Sequence, residues 1–379
     1  MKRWLIVAGD LTPLGGMDAA NHALARYLAG RGDQLELVTH RAWPDLEAMP
    51  TVTVRRVSRP FGKHVLGKGL LSRAGVSAWR RLQPLGARAV VNGGNCSLAA
   101  VNWVHYLHAA YQPWVAGSLA RRSKSLVTHH RDVAAERRAL RSARLVVCNS
   151  RRTMADVVDR IGVDPDRVRV VYYGSDPARF ARVDDRERAA AKAALSARAD
   201  RPLVGFVGAL GDRRKAFDTV FDAWLVLCRT RAWDADLIVV GSGGELPEWR
   251  SRAEACGVAD RIRFAGFRDD VPAVMAALDG FVHPARYEAY GLAPHEALCR
   301  GVPAIVSASS GVAERFSADL DDLLLRDPDS SGELADRLSR WRSHLEQWRA
   351  AVAPLSERLR ARSWDTMAAE IASAAEATA

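Results

Sequence analysis

Two glutamates, Glu288 and Glu296, lie eight positions apart in a segment whose other residues suit an anion site. Between them, Gly291 permits a tight turn into a helix predicted from Ala293, and the first backbone N–H groups of a helix have no partner within it. Such a helix start, here with Gly291 and Leu292, attracts phosphate. Flanking carboxylates accept hydrogen bonds from hydroxyls, so the segment suits a sugar nucleotide. Two glutamates alone would also suit a solvated acidic turn before an ordinary helix.

A basic loop follows the apolar run of residues 203–208 and precedes a helix predicted from Phe217. It carries Arg213, Arg214 and Lys215. Cations at the carboxyl end of a strand can neutralise the charge of a diphosphate. A basic loop on the protein surface is the structural alternative.

Three further strand ends carry candidate site residues. Gly15 and Gly16 follow the first predicted strand and let the backbone approach a ligand, although a tight turn between strand and helix explains them equally well. His105 and His108 follow a later strand, where a lone histidine is otherwise a polar residue packed in a turn. Phe267 follows another strand and is a weaker candidate, because a plain turn between strand and helix explains it equally well.

The elements that position these residues are predicted to be parallel strands, since the carboxyl ends of parallel strands lie at one edge of a sheet. Apolar runs of strand length alternate with amphipathic stretches, the pattern of a parallel sheet covered on both faces. The predicted strands are Trp4 to Ala8, Leu35 to Thr39, Val52 to Val57, Ala89 to Asn92, Val101 to His105, Leu145 to Asn149, Val168 to Tyr172, Leu203 to Gly208, Leu237 to Gly241, Ile262 to Gly266, Gly280 to His283, Ala304 to Ser307 and Leu323 to Leu325.

This alternation predicts an α/β fold of two doubly wound, Rossmann-like domains that face each other across a ligand cleft. We assign residues 1–176 to the N-terminal domain and residues 202–363 to the C-terminal domain. The charged, alanine-rich stretch 177–201 has no strand pattern and is interpreted as a linker.

The composition is that of a globular protein. The 379 residues suffice for two domains of ordinary size, and 48% are hydrophobic and 26% charged. No run approaches the roughly 20 apolar residues of a membrane span. The first apolar stretch ends at Asp10, too early for a signal peptide, and is interpreted as a buried strand. The five cysteines are scattered without a Cys-x-x-Cys pair, which argues against a zinc site or a disulfide framework and favours the cytoplasm.

The charge is unevenly distributed. Residues 1–200 contain 33 Lys and Arg against 17 Asp and Glu, a net of +16, whereas the rest of the chain has a net of −5. No acidic residue occurs between Glu47 and Asp132, and with the tryptophans Trp79 and Trp114 this predicts an exposed basic surface. The basic residues there are Arg55, Arg56, Arg59, Lys63, Lys68, Arg73, Arg80, Arg81, Arg88, Arg121, Arg122, Lys124 and Arg131.

An anionic partner is therefore expected for the first half of the chain. It would be a phospholipid surface, a diphosphate-linked acceptor or a nucleic acid. The basic stretch lacks the aromatic interleaving of a nucleic-acid platform, so we expect no nucleic acid.

Residues 281–307, FVHPARYEAYGLAPHEALCRGVPAIVS, resemble the signature of two glutamates separated by seven residues in the retaining glycosyltransferases of family four. These are group 1 glycosyl transferases with the GT-B fold. The glycine loop at Gly15 and the segment LVGFVGALGDRRKAFD are also similar to the family, whereas residues 50–130 show little resemblance. The family has an arginine directly after the position of Gly208, where this chain has Ala209, so Arg213 or Arg214 would have to supply that charge.

The resemblance implies transfer of a sugar from a nucleotide-diphosphate sugar to an acceptor hydroxyl with retention of configuration. It implies neither a metal ion nor another cofactor. Glu288 would hold sugar hydroxyls or the developing positive charge, and Glu296 the ribose. The implied catalytic residues are Glu288, Lys215, Arg214 and His105. The implied donor-binding residues are Gly16, Arg213, Gly291, Leu292, Glu296 and Phe267, and those on the acceptor side are Gly15 and His108, with His108 as the alternative to His105.

The resemblance also implies that residues 1–176 form the acceptor-side domain, completed by a final helix over 364–379; a helix packed on its own domain is the alternative. The acceptor would be a glycan, a lipid or a small molecule, as in the synthesis of glycolipids, cell-surface glycans or glycosylated secondary metabolites. The basic first half favours a cytoplasmic protein that attaches to the inner face of a membrane. Two alternatives stay open: a GT-B sugar-nucleotide epimerase, and a non-catalytic protein that binds anionic surfaces.

Overall fold

The computed structural model describes residues 1–60, 64–114, 118–230 and 232–378. The chain divides into two compact units. Unit 1 comprises Met1–Gln112, Leu126–Gly174 and Arg362–Ala379, and unit 2 comprises Pro113–Ser125 and Ser175–Ala361. Residues 177–201 therefore lie in unit 2, and the last helix lies in unit 1.

Unit 1 is built on a seven-stranded parallel sheet in the order β5-β3-β1-β6-β7-β8-β9, and a parallel pair, β2 and β4, is separate from it. The strands are β1 (Arg3–Val7), β2 (Asp10–Leu11), β3 (Gln34–Thr39), β4 (Arg41–Ala42), β5 (Val52–Arg56), β6 (Arg88–Asn92), β7 (Val101–Val104), β8 (Leu145–Cys148) and β9 (Val168–Val170). The helices are α1 (Gly16–Gly30), α2 (Pro44–Glu47), α3 (His64–Leu82), α4 (Leu119–Ser142), α5 (Arg151–Asp156) and, from the far end of the chain, α14 (Trp364–Ala377). The first turns of α4, up to Ser125, are assigned to unit 2.

Helix α14 packs against α1 within unit 1. Ser363 caps its start by accepting a hydrogen bond from the backbone of Thr366. The chain re-enters unit 1 next to the point where it left: a side chain added at Gly174 would meet the carbonyl oxygen of Ser363 at 2.2 Å. Apolar stripes of both helices are buried, including Ala20, Leu24 and Leu28 of α1 and Met367, Ile371 and Ala375 of α14.

Unit 2 is built on a six-stranded parallel sheet in the order β12-β11-β10-β13-β14-β15. The strands are β10 (Leu203–Val207), β11 (Asp236–Val240), β12 (Ile262–Gly266), β13 (Gly280–His283), β14 (Ala304–Ser307) and β15 (Leu324–Leu325). The helices are α6 (Asp185–Ala194), α7 (Phe217–Cys228), α8 (Leu246–Ala255), α9 (Val271–Ala276), α10 (Leu292–Cys299), α11 (Ser331–Ser343), α12 (Leu345–Ala351) and α13 (Ala353–Ala361).

Both sheets have the architecture that the sequence predicts. All thirteen predicted strands are present, and most of their ends fall within one residue of the prediction. Near-continuous apolar runs form these strands because helices cover both faces of a parallel sheet. In the described ranges, no helix is long and apolar enough to cross a bilayer. Trp79 is not exposed as predicted, because it packs against the core of unit 1, and Lys63 lies outside the described residues.

The strand order of unit 2 reverses direction between β10 and β13. At such a switch point, the loops that follow the two strands turn to opposite sides and leave a crevice at the carboxyl edge of the sheet. The fold therefore places the loop after β10 and the loop after β13 at the position where open α/β sheets bind ligands.

Candidate functional site

The two central strands of the unit 2 sheet bring the predicted catalytic residues together. Strands β10 and β13 are parallel neighbours, with Gly205 opposite Phe281, so the loops that follow them leave the sheet side by side. The first loop carries Lys215 and the second carries Glu288.

Glu288 lies among three basic side chains. Its Oε2 atom accepts a hydrogen bond from Lys215 Nζ and lies 3.0 Å from His283 Nε2 and 3.9 Å from Arg214 Nη1. The side chains of Lys215 and Glu288 are only 15% and 12% exposed, and His283 is fully buried. Poor access of water strengthens each of these interactions.

The buried setting shifts the pKa of each member of this group. Burial would raise the pKa of Glu288, but Lys215, His283 and Arg214 outweigh it and hold that pKa below its usual range. Burial lowers the pKa of Lys215, and the carboxylate of Glu288 opposes that change. Burial and the charge of Lys215 lower the pKa of His283 to about 4.

His283 is therefore neutral at pH 7. Its Nδ1 atom has no hydrogen-bond partner among the described residues, so the hydrogen-bond pattern assigns the ring proton to Nε2, which donates to Glu288. His283 thus holds Glu288 in place without adding a charge.

The two arginines of the loop after β10 point to different neighbours. Arg214 Nη1 donates to the carbonyl oxygen of Tyr287 at 3.4 Å, beside Glu288. The guanidinium carbon of Arg213 instead lies 3.8 Å from the ring centroid of Trp114. The structure therefore brings Arg214, and not Arg213, next to Lys215 and Glu288.

Gly291 starts α10 in a conformation that other residues rarely adopt, with φ at 106°. A β-carbon at Gly291 would lie 3.3 Å from Glu288 Cγ, so glycine also leaves room for the carboxylate. The first N–H groups of α10 have no side-chain cap, which suits an anion. Glu296 lies one turn further along the helix, and burial raises its pKa to about 8 against the opposing charges of Arg179 and Arg300.

The predicted residue His105 is deeply buried in unit 1. Its Nδ1 atom lies 2.5 Å from the Tyr173 hydroxyl, and its Nε2 atom lies 3.1 Å from Asn92 Nδ2. Asn149 binds both the His105 carbonyl oxygen and the Tyr173 hydroxyl at 3.2 Å. Burial lowers the pKa of His105 to about 3. A hydrogen bond between its ring and a sugar would therefore require one of these internal hydrogen bonds to break.

His108 lies in a short turn that a buried carboxylate holds. The backbone N–H groups of His108 and Ala109 donate to Glu136 at 2.8 and 3.0 Å. Burial lowers the pKa of His108 to about 4 and raises that of Glu136 to about 7.

The glycine loop and Phe267 present accessible backbone and side chain. Gly15 precedes α1 with φ at 83°, no atom lies within 4 Å of a β-carbon added there, and Gly16 is the first residue of the helix. Phe267 is 76% exposed at the end of β12. These positions are open to a ligand, and the predicted roles stay predictions.

Several residues around Glu288 and around the two histidines His105 and His108 were not predicted from the sequence. His283 ends β13, and the strand-end position that drew attention to His105 would have identified it too. Glu136 and Tyr173 carried no signal, since a glutamate within a basic helix and a tyrosine near a strand end are common. In the described residues no group of three or more His, Cys, Asp or Glu side chains could hold a metal ion.

Comparison with known proteins matches both units to sugar transferases. A family model described as glycosyl transferases group 1 matches residues 201–371, and one described as glycosyltransferase family 4 matches residues 14–179. The chain is 30% identical over 332 residues to a D-inositol 3-phosphate glycosyltransferase of Salinispora tropica, covering 79% of this chain and 68% of that protein.

A second relative and a solved structure extend the comparison. The chain is 33% identical over 221 residues to a GDP-mannose-dependent alpha-(1-6)-phosphatidylinositol monomannoside mannosyltransferase of Mycobacterium tuberculosis, covering 56% of this chain and 53% of that protein. Sucrose-phosphate synthase from Thermosynechococcus elongatus has a similar fold, with a TM-score of 0.76 at 21% identity over 98% of each chain. The fold is that of the GT-B glycosyltransferases. The chain belongs to the group 1 glycosyltransferases.

Proposed function

We propose that this protein transfers a sugar from a nucleotide-diphosphate sugar to an acceptor hydroxyl, with retention of configuration and without a metal ion. The observation that carries the proposal is the convergence of Lys215 and Arg214 on Glu288 beside the uncapped start of α10. Two cations and a helix start can stabilise the charge of a leaving diphosphate, which is the task a metal ion performs in other transferases.

In the proposed mechanism, the bond between C1 of the sugar and the β-phosphate oxygen breaks, and its electron pair stays on the phosphate. Lys215, Arg214 and the N–H groups of α10 stabilise that charge. The acceptor oxygen bonds to C1 on the same face, and its proton passes to the departing phosphate oxygen. Glu288 holds sugar hydroxyls or the positive charge that develops on the sugar.

The remaining site residues have binding roles in this proposal. Glu296 accepts hydrogen bonds from the ribose hydroxyls, and Phe267 lies near the base. Gly15 and Gly16 of unit 1 face the acceptor and the sugar, and His105 or His108 contacts the sugar. The names of the two relatives above both contain an inositol phosphate unit, so inositol phosphates and phosphoinositide glycolipids are the first acceptors to test, with GDP-mannose among the first donors.

Replacement of Glu288 or Lys215 tests the catalytic assignment. We expect Glu288→Ala and Lys215→Ala each to lower kcat at least about 100-fold, since both act on charge that develops in the transition state. Asp234→Ala is the matched control. Asp234 pairs with Arg342 and precedes β11, so it lies at the amino ends of the strands, away from the loops that carry Lys215 and Glu288. Near-normal turnover by either site variant, with its fold intact, would overturn the assignment. Epimerised sugar nucleotide formed without any acceptor would indicate an epimerase instead.

A further inference from the structure

The loop between β10 and α7 holds Arg214 and Lys215 in a strained backbone. Three described non-glycine residues have positive φ, and two of them, Arg213 at 55° and Ala216 at 52°, flank Arg214 and Lys215. Such conformations are unfavourable for residues with a side chain and persist only where surrounding contacts enforce them. Some other element must therefore hold this loop.

Arg286, in the loop after β13, supplies these contacts. Its Nη1 atom donates to the carbonyl oxygen of Arg213 at 2.6 Å, and its backbone N–H donates to the carbonyl oxygen of Arg214 at 2.9 Å. Arg286 thus binds two consecutive carbonyl groups of the loop, immediately before Lys215.

The same guanidinium is itself fixed by two carboxylates. Nη1 and Nη2 of Arg286 donate to the two oxygens of Asp218, each at 2.9 Å, and Nε donates to Asp329 at 2.6 Å. Asp218 lies in the first turn of α7. Paired, charge-assisted hydrogen bonds of this kind fix both distance and orientation. They also hold the pKa of Arg286 above its usual range, against the effect of burial.

Arg286 also lies only two residues before Glu288, so one side chain connects the loop of Lys215 to the segment of Glu288. We propose that Arg286 is a positioning residue of the transferase site: it holds the loop after β10 so that Lys215 and Arg214 reach the donor diphosphate. The part of this inference that concerns the diphosphate rests on the proposed function. The part that concerns the conformation of the loop is independent of it.

The test uses Arg286→Lys, which keeps the charge but cannot reproduce the planar fork of an arginine. The matched control is Arg342→Lys, which breaks another paired contact, from Arg342 to both oxygens of Asp234 at 2.6 Å. Amide hydrogen exchange of residues 211–216 is measured first, with no ligand. We expect Arg286→Lys to speed this exchange at least about tenfold and Arg342→Lys to leave it unchanged. Unchanged exchange in Arg286→Lys would overturn the inference.

The second measurement is calorimetric affinity for UDP and GDP. We expect Arg286→Lys to weaken binding about tenfold, and to have less than about a twofold effect in an Arg214→Ala/Lys215→Ala background, because Arg286 acts through those two side chains. An undiminished effect in that background would overturn the positioning role. A third outcome separates the two claims. If Arg286→Lys exchanges faster in the loop but the wild-type protein binds neither UDP nor GDP, Arg286 holds the loop and the proposed function is wrong.

Discussion

Glu288 gathers three basic groups on one carboxylate oxygen, and the arrangement changes what each can do. Lys215 is buried, yet the contact with Glu288 favours its charged form. His283 contributes a hydrogen bond and no charge at pH 7. In the absence of a donor, Glu288 is thus the counter-ion of Lys215, and an incoming diphosphate would share that lysine. The contact with Glu288 holds Lys215 in place before the diphosphate arrives.

Glu296 should make nucleotide binding depend on pH. Burial raises its pKa to about 8, so at pH 7 about a tenth of the carboxyl groups are ionised. If the ionised form accepts the ribose hydrogen bonds, affinity for UDP or GDP increases about tenfold between pH 7 and pH 9 and a proton is released on binding. Calorimetry at both pH values measures this.

Glu296→Gln is the control for that experiment, since it keeps the size of the side chain and cannot ionise. Its affinity should be lower by ~1–3 kcal/mol at pH 9 and nearly independent of pH, because it loses a hydrogen bond to a charged acceptor. An equal pH response in the variant and the wild type would remove Glu296 from the nucleotide site.

At the scale of single residues, the sequence predicts site residues best where a charged side chain lies in a turn after a strand. Glu288, Arg214 and Lys215 were predicted from strand-end loops and lie together in the structure. His105 was predicted on the same grounds, yet its ring is engaged by Tyr173, about seventy residues later in the chain. Hydrogen-bond partners that are distant in sequence could not be predicted from a single chain.

At the scale of elements, the loop after β10 separates two arginines that the sequence could not distinguish. Arg214 lies beside Glu288, whereas Arg213 stacks on Trp114. We expect Arg214→Ala to weaken binding of UDP or GDP about tenfold, as for a lost charged contact, and Arg213→Ala to change it less than about twofold.

Ala209 provides the complementary experiment. It is exposed directly after Gly208, where the family has an arginine, so Ala209→Arg should restore part of the nucleotide affinity lost in Arg214→Ala. Calorimetry of the single and double variants measures the recovery. If Arg213→Ala loses more nucleotide affinity than Arg214→Ala, the cationic role belongs to Arg213 and its assignment to Arg214 is wrong.

The strands were predictable because a buried parallel strand needs an uninterrupted apolar run, as in Phe281 and Val282. The short strands β2 and β4 were not, since Asp10–Leu11 and Arg41–Ala42 each contain one charged residue and are only two residues long. Helix α6 begins with a capping box of Asp184 and Glu187, a signal that is readable in the sequence within the stretch interpreted as a linker.

At the scale of the whole molecule, the first half of the chain has less unpaired positive charge than its sequence indicates. Some of its cations pair with carboxylates from outside the basic stretch, including Arg59 with Asp10, Lys68 with Asp132 and Arg81 with Glu36. The exposed remainder lies largely on α3 and α4, and α4 also exposes apolar side chains. The exposed residues of α4 include Leu119, Arg121, Arg122, Leu126, Val127 and Arg131.

This surface should bind anionic membranes. Each basic residue near an anionic leaflet contributes about 1 kcal/mol, and salt screens the attraction within about 8–10 Å. We expect the protein to cosediment with phosphatidylserine-containing vesicles at low salt and to be released as salt increases. Charge reversal at Arg121, Arg122 and Arg131 should abolish most of this binding.

A second triple charge reversal, at the exposed residues Arg186, Arg229 and Arg340, which lie outside the basic stretch, is the matched control and should retain binding. Equal recovery on neutral and anionic vesicles, or no recovery at low salt, would eliminate membrane docking. The soluble anionic acceptor would then be the remaining partner of the basic surface.

Removal of α14 should unfold unit 1 and spare unit 2. Truncation after Ala361 uncovers the face of α1 that packs against α14 and removes the pairs of Glu376 with Lys2 and Arg31. Calorimetric unfolding should lose the transition of unit 1, and hydrogen exchange of β1 should become fast, because burial of the apolar stripe is lost. Protection of β1 at the wild-type level would show that α14 is dispensable.

The late position of α14 has a consequence for synthesis on the ribosome. The strands of unit 1 emerge first, but the helix that covers α1 follows only after residues 175–361 have been translated. A nascent chain therefore leaves the face of α1 that packs against α14 uncovered throughout that interval and offers it to chaperones. A chain that terminates early in unit 2 never covers this face, so proteases can distinguish a truncated product from a finished one.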